Sequence, residues 1–158
     1  EIEVMAVMID SRNEKIESIQ KHEKSYYQKA EVFKILRYLY EPDAAIIKAR
    51  LSAKLAHHFE VAFINKNVDY LTSDKCLDNF PGRSFEILDV LPYQQKTLKN
   101  FLKMNRIEKA NVARREFPDS PEFIKKQFKL GDGGVDFLFF TTNANGEKIC
   151  IHAKRLQT

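Results

Sequence analysis

The start of the chain alternates apolar and polar residues with a period of two, as β-strands do. Residues 1–9 (EIEVMAVMI) and 14–20 (EKIESIQ) carry this pattern, and the polar stretch DSRNE lies between them. We therefore predict a β-hairpin. Residues 32–39 (VFKILRYL) are apolar and rich in β-formers, which favours a central strand.

A helical period begins near Pro42, which we predict at the first helical position because a proline loses no hydrogen bond there. Glu41 and Asp43 would place negative charge at the positive end of the helix dipole. A short strand or turn is predicted in YLTSD, residues 70–74. The apolar face of the helix would consist of Ile46, Ile47, Leu51, Leu55 and Phe59.

The second part of the chain is predicted to contain a strand at 84–91 and then the order helix, strand, helix, strand, strand. Pro92 ends the first strand and marks the predicted boundary between two small lobes, 1–91 and 92–158. The fold class is therefore α+β. The later elements are a helix at 94–104, a strand at 109–117, a helix at 120–129 that Ser120 caps, and a hairpin around the turn Asn143–Gly146.

Helical and strand spacing also predict which residues face the core. On the two helices these are Leu98, Phe101 and Leu102, and then Phe123, Ile124 and Phe128. On the strand between them Ala110, Val112 and Arg114 share one side, and the VDFLFF run at 135–140 is interpreted as core rather than as a stacking platform.

The glycine cluster at 131–134 (GDGG) raises the question of a phosphate-binding loop. Such loops lie after a strand and before a helix, so that the helix N-terminus receives the phosphate. Here the helix comes first and a strand follows. We therefore predict that a glycine ends the helix and that the others turn the chain.

The residues that usually carry catalysis or bind metals are not grouped in the sequence. His57 and His58 are adjacent and would point about 100° apart on a helix. His22 and His152 are isolated, and the paired carboxylates resemble solvent-exposed faces. No catalytic residue and no metal ligand is predicted. The two cysteines, Cys76 and Cys150, predict buried, reduced thiols and a cytoplasmic location.

The charge divides unevenly between the predicted lobes. Residues 1–91 hold 13 Lys and Arg against 15 Asp and Glu, whereas residues 92–158 hold 13 against 7, which gives net charges of −2 and +6. A basic second lobe favours a polyanionic partner, and a solvated lysine-rich surface is the alternative. Arg106, Lys109, Lys154 and Arg155 belong to this basic set. The residues predicted to contact RNA phosphates are Lys96, Lys99, Lys103, Arg114, Arg115, Lys125, Lys126 and Lys129.

Four ordered blocks resemble a known family: YLYEPDAAIIKA, YLTSD, NFPGRSFEILDVLP and ANVARREFPDSPEFIKKQFKLGDGG. They are similar to the C-terminal half of a bacterial family of class I S-adenosylmethionine-dependent methyltransferases. The resemblance implies a ferredoxin-like α/β sandwich at 1–91 and a THUMP-like domain at 92–158. Arg50 departs from the pattern, which has glycine after EPDAAIIKA. Because EPDAA belongs to the pattern, Glu41 and Asp43 could be functional or could only start a helix.

The resemblance implies an RNA-docking role beside an upstream methyltransferase domain in the same chain. The chain does not start with Met, so we expect a fragment of a longer protein. S-adenosylmethionine would be the cofactor of the full-length protein, and this fragment would neither bind it nor transfer a methyl group alone. tRNA or rRNA is the expected partner, and no membrane partner is expected because no apolar run approaches about 18 residues.

Two other functions stay open at this point. The chain could be a structural module that packs on the methyltransferase domain or mediates dimerisation, in which case an exposed apolar patch is expected. It could also be an enzyme in its own right, which would require a deep polar pocket with suitable titratable groups.

Overall fold

The computed structural model describes residues 3–9, 15–22 and 27–157, with side chains described in 27–157 only. The described residues form a mixed α+β structure, as predicted. Its helices are α1 (Ala44–Lys48), α2 (Ser52–Phe59), α3 (Gln95–Met104) and α4 (Pro121–Gln127). Its strands are β1 (Glu3–Ile9), β2 (Lys15–His22), β3 (Tyr38–Pro42), β4 (Ala62–Phe63), β5 (Leu71–Ser73), β6 (Gly82–Pro92), β7 (Lys109–Arg114), β8 (Gly131–Thr142) and β9 (Lys148–Arg155).

The strands form two sheets. β1 and β2 pair antiparallel, which confirms the predicted hairpin, while its loop lies outside the described residues. The other seven strands form one sheet in the order β4-β5-β3-β6-β9-β8-β7. Within it β7 is parallel to β8, and α4 provides the connection that a parallel pair needs. The continuous strand β6 crosses residue 91, so backbone hydrogen bonds link the two predicted lobes.

The helices lie on one face of the seven-stranded sheet, which we call the helical face. Tyr38 pairs with Glu86, Glu86 with Lys154, and Lys154 with Asp136. Because paired residues of neighbouring strands share a face, all four lie on the helical face. The residues of α1 and α2 pack with Tyr38 and Tyr40 in one core cluster. Those of α3 and α4 pack in a second cluster that includes Leu98, Leu102, Ile124, Phe128, Leu138, Phe140 and Cys150.

The opposite face, which we call the loop face, carries the third core cluster. Leu39, Phe85, Phe139 and Ile151 lie there, under side chains of the 64–70 segment. Strand alternation explains the two faces, because neighbouring residues of β8 point to opposite sides. The VDFLFF run is core as predicted: Leu138, Phe139 and Phe140 are buried, and Phe137 is half-buried.

All four helices end with a left-handed residue that is not glycine, followed by a buried apolar residue. Arg50 has φ 58° and Lys129 has φ 54°, and Glu60 and Arg106 are similar. In each case the N–H of the next residue bonds a carbonyl five positions back, as from Leu130 to Lys125 at 2.8 Å. This is the Schellman arrangement. Burial of the apolar residues sets the conformation: Leu51, Val61, Ile107 and Leu130.

The glycine cluster therefore has a different role from the predicted one. Lys129, not a glycine, ends α4, and residues 131–134 already belong to β8. Gly133 and Gly134 have φ values of 90° and 86° and lie in a bulge, since the register with β7 shifts between Ala110 and Asn111. The cluster still contains no helix N-terminus that could receive a phosphate.

Four further expectations were wrong in detail. Strand β3 starts at Tyr38, later than the predicted 32–39, and includes Pro42, which therefore does not lie at a helix N1 position. Asp43 instead caps α1, its Oδ1 accepting from the Ala45 N–H at 2.9 Å. The single predicted helix divides at Arg50. Phe123 is 55% exposed and does not face the core, because α4 is short and turns only Ile124 fully inward.

Candidate nucleic-acid interface

The three predicted lysines of α3 form one exposed stripe. Lys96, Lys99 and Lys103 are all exposed, while Leu98 and Leu102 on the other side of the helix are buried. Spacings of three and four residues place side chains on the same side of a helix. α3 thus presents three ammonium groups to solvent along about 10 Å, at a rise of about 1.5 Å per residue.

Of the three predicted lysines near α4, one is already paired. Lys125 donates to Oδ1 of Asp132 at 2.7 Å, and this hydrogen bond raises the pKa of Lys125. Lys126 and Lys129 are exposed. Because α3 and α4 share one core cluster on the helical face, their exposed lysines lie on the same side of the sheet. We call Lys96, Lys99, Lys103, Lys126 and Lys129 the helix lysines.

The two arginines predicted at the end of this strand, Arg114 in β7 and Arg115 directly after it, lie on opposite faces of the sheet. Arg114 is exposed, and its Nη1 donates to the carbonyl of Phe117 at 2.6 Å. Arg115 instead lies over the ring of Tyr70, at 5.5 Å from the centroid, on the loop face. Consecutive residues at a strand end point to opposite faces, so Arg115 does not lie with the helix lysines.

Arg115 belongs to an ionic cluster around Glu41. Oε1 of Glu41 accepts from Nε and Nη2 of Arg83 at 2.9 and 2.6 Å, and Oε2 lies 3.8 Å from Nη2 of Arg115. The Glu41 side chain is 14% exposed. Two guanidinium groups against one carboxylate leave a positive excess on the loop face. Glu41 thus holds side chains from two parts of the chain and is not part of a helix start.

Beside this cluster lies a cavity of about 750 Å³ on the loop face. Its walls are formed by the start of β6, the bulged part of β8 and the chain at and after the end of β9. Three of its lining residues are cationic, and none is acidic. The lining residues are Gly82, Arg83, Ser84, Gly134, Val135, Phe137, Lys154, Arg155, Leu156 and Gln157.

Both parts of the chain that form the seven-stranded sheet match known domain families. Residues 38–81 match a ferredoxin-like domain, and residues 82–155 match a family described as THUMP domain-like. The chain carries a ferredoxin-like and a THUMP-like domain. The two matched regions meet at the start of β6, while the boundary at 91/92 stays a prediction.

One solved structure extends the similarity to most of the chain. It is the crystal structure of a "putative methyltransferase from Porphyromonas gingivalis W83", at 28% sequence identity and a TM-score of 0.76. The match covers 82% of this chain and 32% of that chain, so the chain spans about a third of the length of that protein. No curated protein matches the chain significantly.

The THUMP-like domain also contains a histidine site that the sequence interpretation missed. His152 is 5% exposed, with Nδ1 3.0 Å from Asp89 and Nε2 2.7 Å from Asp136. The ring thus bridges carboxylates from β6 and β8, and Phe101 packs against it. Its polar partners within the described residues are these two carboxylates alone, with no hydroxyl or thiol nucleophile between them. We therefore interpret the group as a cross-strand link.

The described residues contain no group of three His, Cys, Asp or Glu that is placed to hold a metal ion. The longest helix among them, α3, has 10 residues, so no described helix could cross a membrane. Cys150 is buried, and burial raises the pKa of its thiol, whereas Cys76 is exposed, contrary to prediction.

The residues that line the cavity could not be identified from the sequence. Arg83 is one of 26 Lys and Arg residues, and nothing local distinguishes it. Its position depends on the register between β3 and β6, which sets Glu41 opposite Arg83. The period-two pattern of β6 was the only available signal, since it places Arg83 on the same side as Phe85.

Proposed function

We propose that this chain docks RNA for an S-adenosylmethionine-dependent methyltransferase domain of the same protein. The observation that carries the proposal is the exposed row of helix lysines on a THUMP-like domain. The similarity to a structure described as a methyltransferase supports the second half of the proposal. The RNA would be a tRNA or an rRNA, and the protein would act in the cytoplasm.

The proposed mechanism is electrostatic. The ammonium groups of Lys96, Lys99 and Lys103 would neutralise phosphates along a folded RNA and release the counterions bound there. Lys126, Lys129 and Arg114 would extend the contact on the same side of the sheet. Phosphate contacts fix position and carry no sequence information, so the substrate nucleotide would be chosen elsewhere. Lys125 would contribute less, because Asp132 already neutralises it.

The chemistry would belong to the methyltransferase domain. The cofactor and the reacting base would bind there, while this chain would hold the RNA at a fixed distance from it. No residue of the described chain is assigned a step in methyl transfer.

Salt dependence tests the docking role. Binding of tRNA and of rRNA fragments is measured at several salt concentrations for the wild type and for a triple variant with Lys96, Lys99 and Lys103 changed to Gln. We expect the log–log slope to become shallower by about 2 to 3, because each phosphate contact contributes about 0.9. The control is a second triple variant with the same charge loss, at exposed positions outside the THUMP-like domain: Lys34, Lys48 and Lys66 to Gln. Equal slopes for both variants, or a wild-type slope near zero, would contradict the proposal.

One observation favours the alternative, a module that packs on the methyltransferase domain or on a second copy. Leu88 and Val90 of β6 are 45% and 43% exposed, and they lie two residues apart on one strand. Sedimentation velocity over a range of concentrations tests it. RNA-independent self-association that is lost on changing both residues to Ser would favour this alternative, and a monomer at every concentration would exclude the dimer.

A further inference from the structure

We propose that the cavity on the loop face is a binding site for the phosphoryl group of a nucleotide. The site would be formed by the side chains of Arg83 and Arg155, with Phe137 as an aromatic wall. It lies on the other side of the sheet from the helix lysines. In naming RNA as the source of the nucleotide, the inference rests on the proposed function; the phosphoryl site itself does not.

The charge of the lining residues selects the class of ligand. Strand register turns the side chains of Arg83 and Arg155 to the loop face and that of Lys154 to the helical face. Two cations and no lining carboxylate therefore face the cavity, so its potential favours an anion. Arg155 is exposed and has no carboxylate within 4.0 Å among the described side chains. A dianionic phosphoryl group would match this charge better than a single carboxylate would.

Arg83 is held in place before any ligand arrives. Its Nε and Nη2 donate to Glu41, and its guanidinium lies 5.4 and 5.8 Å from the ring centroids of Phe85 and Phe137. Its Nη1 makes no hydrogen bond to a described residue, so donor capacity remains. A guanidinium that is already ordered loses less entropy when it binds phosphate.

The opposite wall is a fixed piece of backbone. The side-chain amide of Asn111 donates to the carbonyls of Gly134 and Asp136 at 2.9 and 3.3 Å and so holds the β8 bulge. Gly134 has φ 86°, and a Cβ there would lie 3.3 Å from the Lys109 side chain. The bulge thus forms a fixed wall of the cavity beside Phe137.

The ring of Phe137 favours a nucleotide over a bare anion as the ligand. Its ring is half-buried and lines the cavity beside Arg83 and Arg155. Base stacking on an aromatic ring contributes about 1–3 kcal/mol and tolerates any base. A nucleoside monophosphate or a single-stranded nucleotide of an RNA would use both the cations and the ring, whereas inorganic phosphate would use only the cations.

The test follows backbone amide signals of the isotopically labelled chain by NMR. Three probes are titrated separately: inorganic phosphate, uridine monophosphate and a single-stranded hexauridylate. We expect uridine monophosphate and the hexamer to shift the amides of Gly82, Gly134 and Arg155, and phosphate to shift them more weakly. Arg155→Gln should weaken binding of uridine monophosphate about tenfold, the loss of one charge-assisted hydrogen bond. Lys148→Gln removes a charge from the same strand outside the cavity and serves as the matched control.

The outcomes separate the two proposals. RNA that shifts only amides of α3 and α4 would overturn the cavity site and leave the docking role intact. Uridine monophosphate that binds in the cavity, with no binding of tRNA or rRNA at low salt, would support the site and contradict the docking role. An Arg155→Gln variant that binds like the wild type would overturn the site, and so would inorganic phosphate that binds as tightly as uridine monophosphate.

Discussion

Arg83 donates two hydrogen bonds to one carboxylate oxygen of Glu41, at 2.9 and 2.6 Å, across the junction of the ferredoxin-like and THUMP-like domains. Arg115 approaches the other oxygen at 3.8 Å. The carboxylate therefore separates two guanidinium groups that would otherwise repel each other in a half-buried site. This relationship makes Glu41 a residue of the junction.

Glu41→Gln should lower the free energy of unfolding by about 2–3 kcal/mol, because it leaves two neighbouring cations without their shared anion. Urea denaturation followed by circular dichroism measures the change. The control is Glu86→Gln, which breaks the Arg37–Glu86 pair, whose side chains are 62% and 37% exposed. That pair should contribute less than about 1 kcal/mol. Equal losses in the two variants would contradict the role of Glu41.

Arg50→Gly should raise the free energy of unfolding by up to about 1 kcal/mol. Arg50 adopts φ 58°, a conformation that costs a residue with a Cβ about 1–2 kcal/mol. Glycine avoids this cost but loses more conformational entropy on folding, so the net gain is smaller. Lys48→Gly, inside α1, is the control and should destabilise by about 1 kcal/mol. The two variants should thus move the urea midpoint in opposite directions, and a destabilised Arg50→Gly would show that its side chain has a structural role.

Only one of the two thiols should react in the folded protein. Burial raises the pKa of Cys150, so its reactive thiolate is scarce at neutral pH, and the side chain is also inaccessible. Cys76 is exposed. Alkylation with iodoacetamide, read by mass spectrometry, should modify Cys76 alone under native conditions and both cysteines in denaturant. Native modification of Cys150 would indicate local opening of the sheet at β9.

Stability should fall as the pH rises from about 10 to about 12. Burial, and then the hydrogen bond to Asp119, raise the pKa of Tyr93 to about 12. A tyrosine with a raised pKa contributes stability below its unfolded pKa, and this contribution is lost as pH rises toward its folded pKa. Tyr93→Phe should reduce the difference in unfolding free energy between pH 9 and pH 11. A Tyr93→Phe variant that keeps the wild-type difference would contradict this role of Tyr93.

The His152 link should stabilise the protein although its two carboxylates are partly exposed. His152→Ala removes the group between Asp89 and Asp136 and leaves two carboxylates facing each other across a gap. We expect a loss of about 2–4 kcal/mol, measured by thermal and urea unfolding. The double variant with Asp89→Asn and His152→Ala should lose less than the sum of its single variants, since the groups interact. Full additivity would show that the pair contributes nothing.

Local signals were enough to predict the second part of the fold. The apolar period of α3 and the Ser120 cap with Pro121 behind it are properties of neighbouring residues, and both elements were found where expected. The helix ends were not predictable in the same way. Lys129 is left-handed because Leu130 packs into the core, and burial of Leu130 depends on the whole sheet.

The candidate sites differ in how well the sequence predicts them, and the physical reason is the same. The lysine stripe of α3 follows from spacing within one helix, so the sequence predicted it. The Glu41–Arg83 pair joins residues 42 positions apart and depends on strand register, which the sequence does not display. Arg115 was misplaced because two adjacent arginines looked equivalent, although a strand sends them to opposite faces.

The shared strand β6 has a mechanical consequence. One edge of β6 bonds β3 of the ferredoxin-like domain and the other bonds β9 of the THUMP-like domain. A hinge between the two domains would have to break one of these hydrogen-bonded strand pairings. We therefore expect the two domains to move as one rigid body. In the proposed docking role, any flexibility needed to position a bound RNA would have to arise where these two domains join the methyltransferase domain.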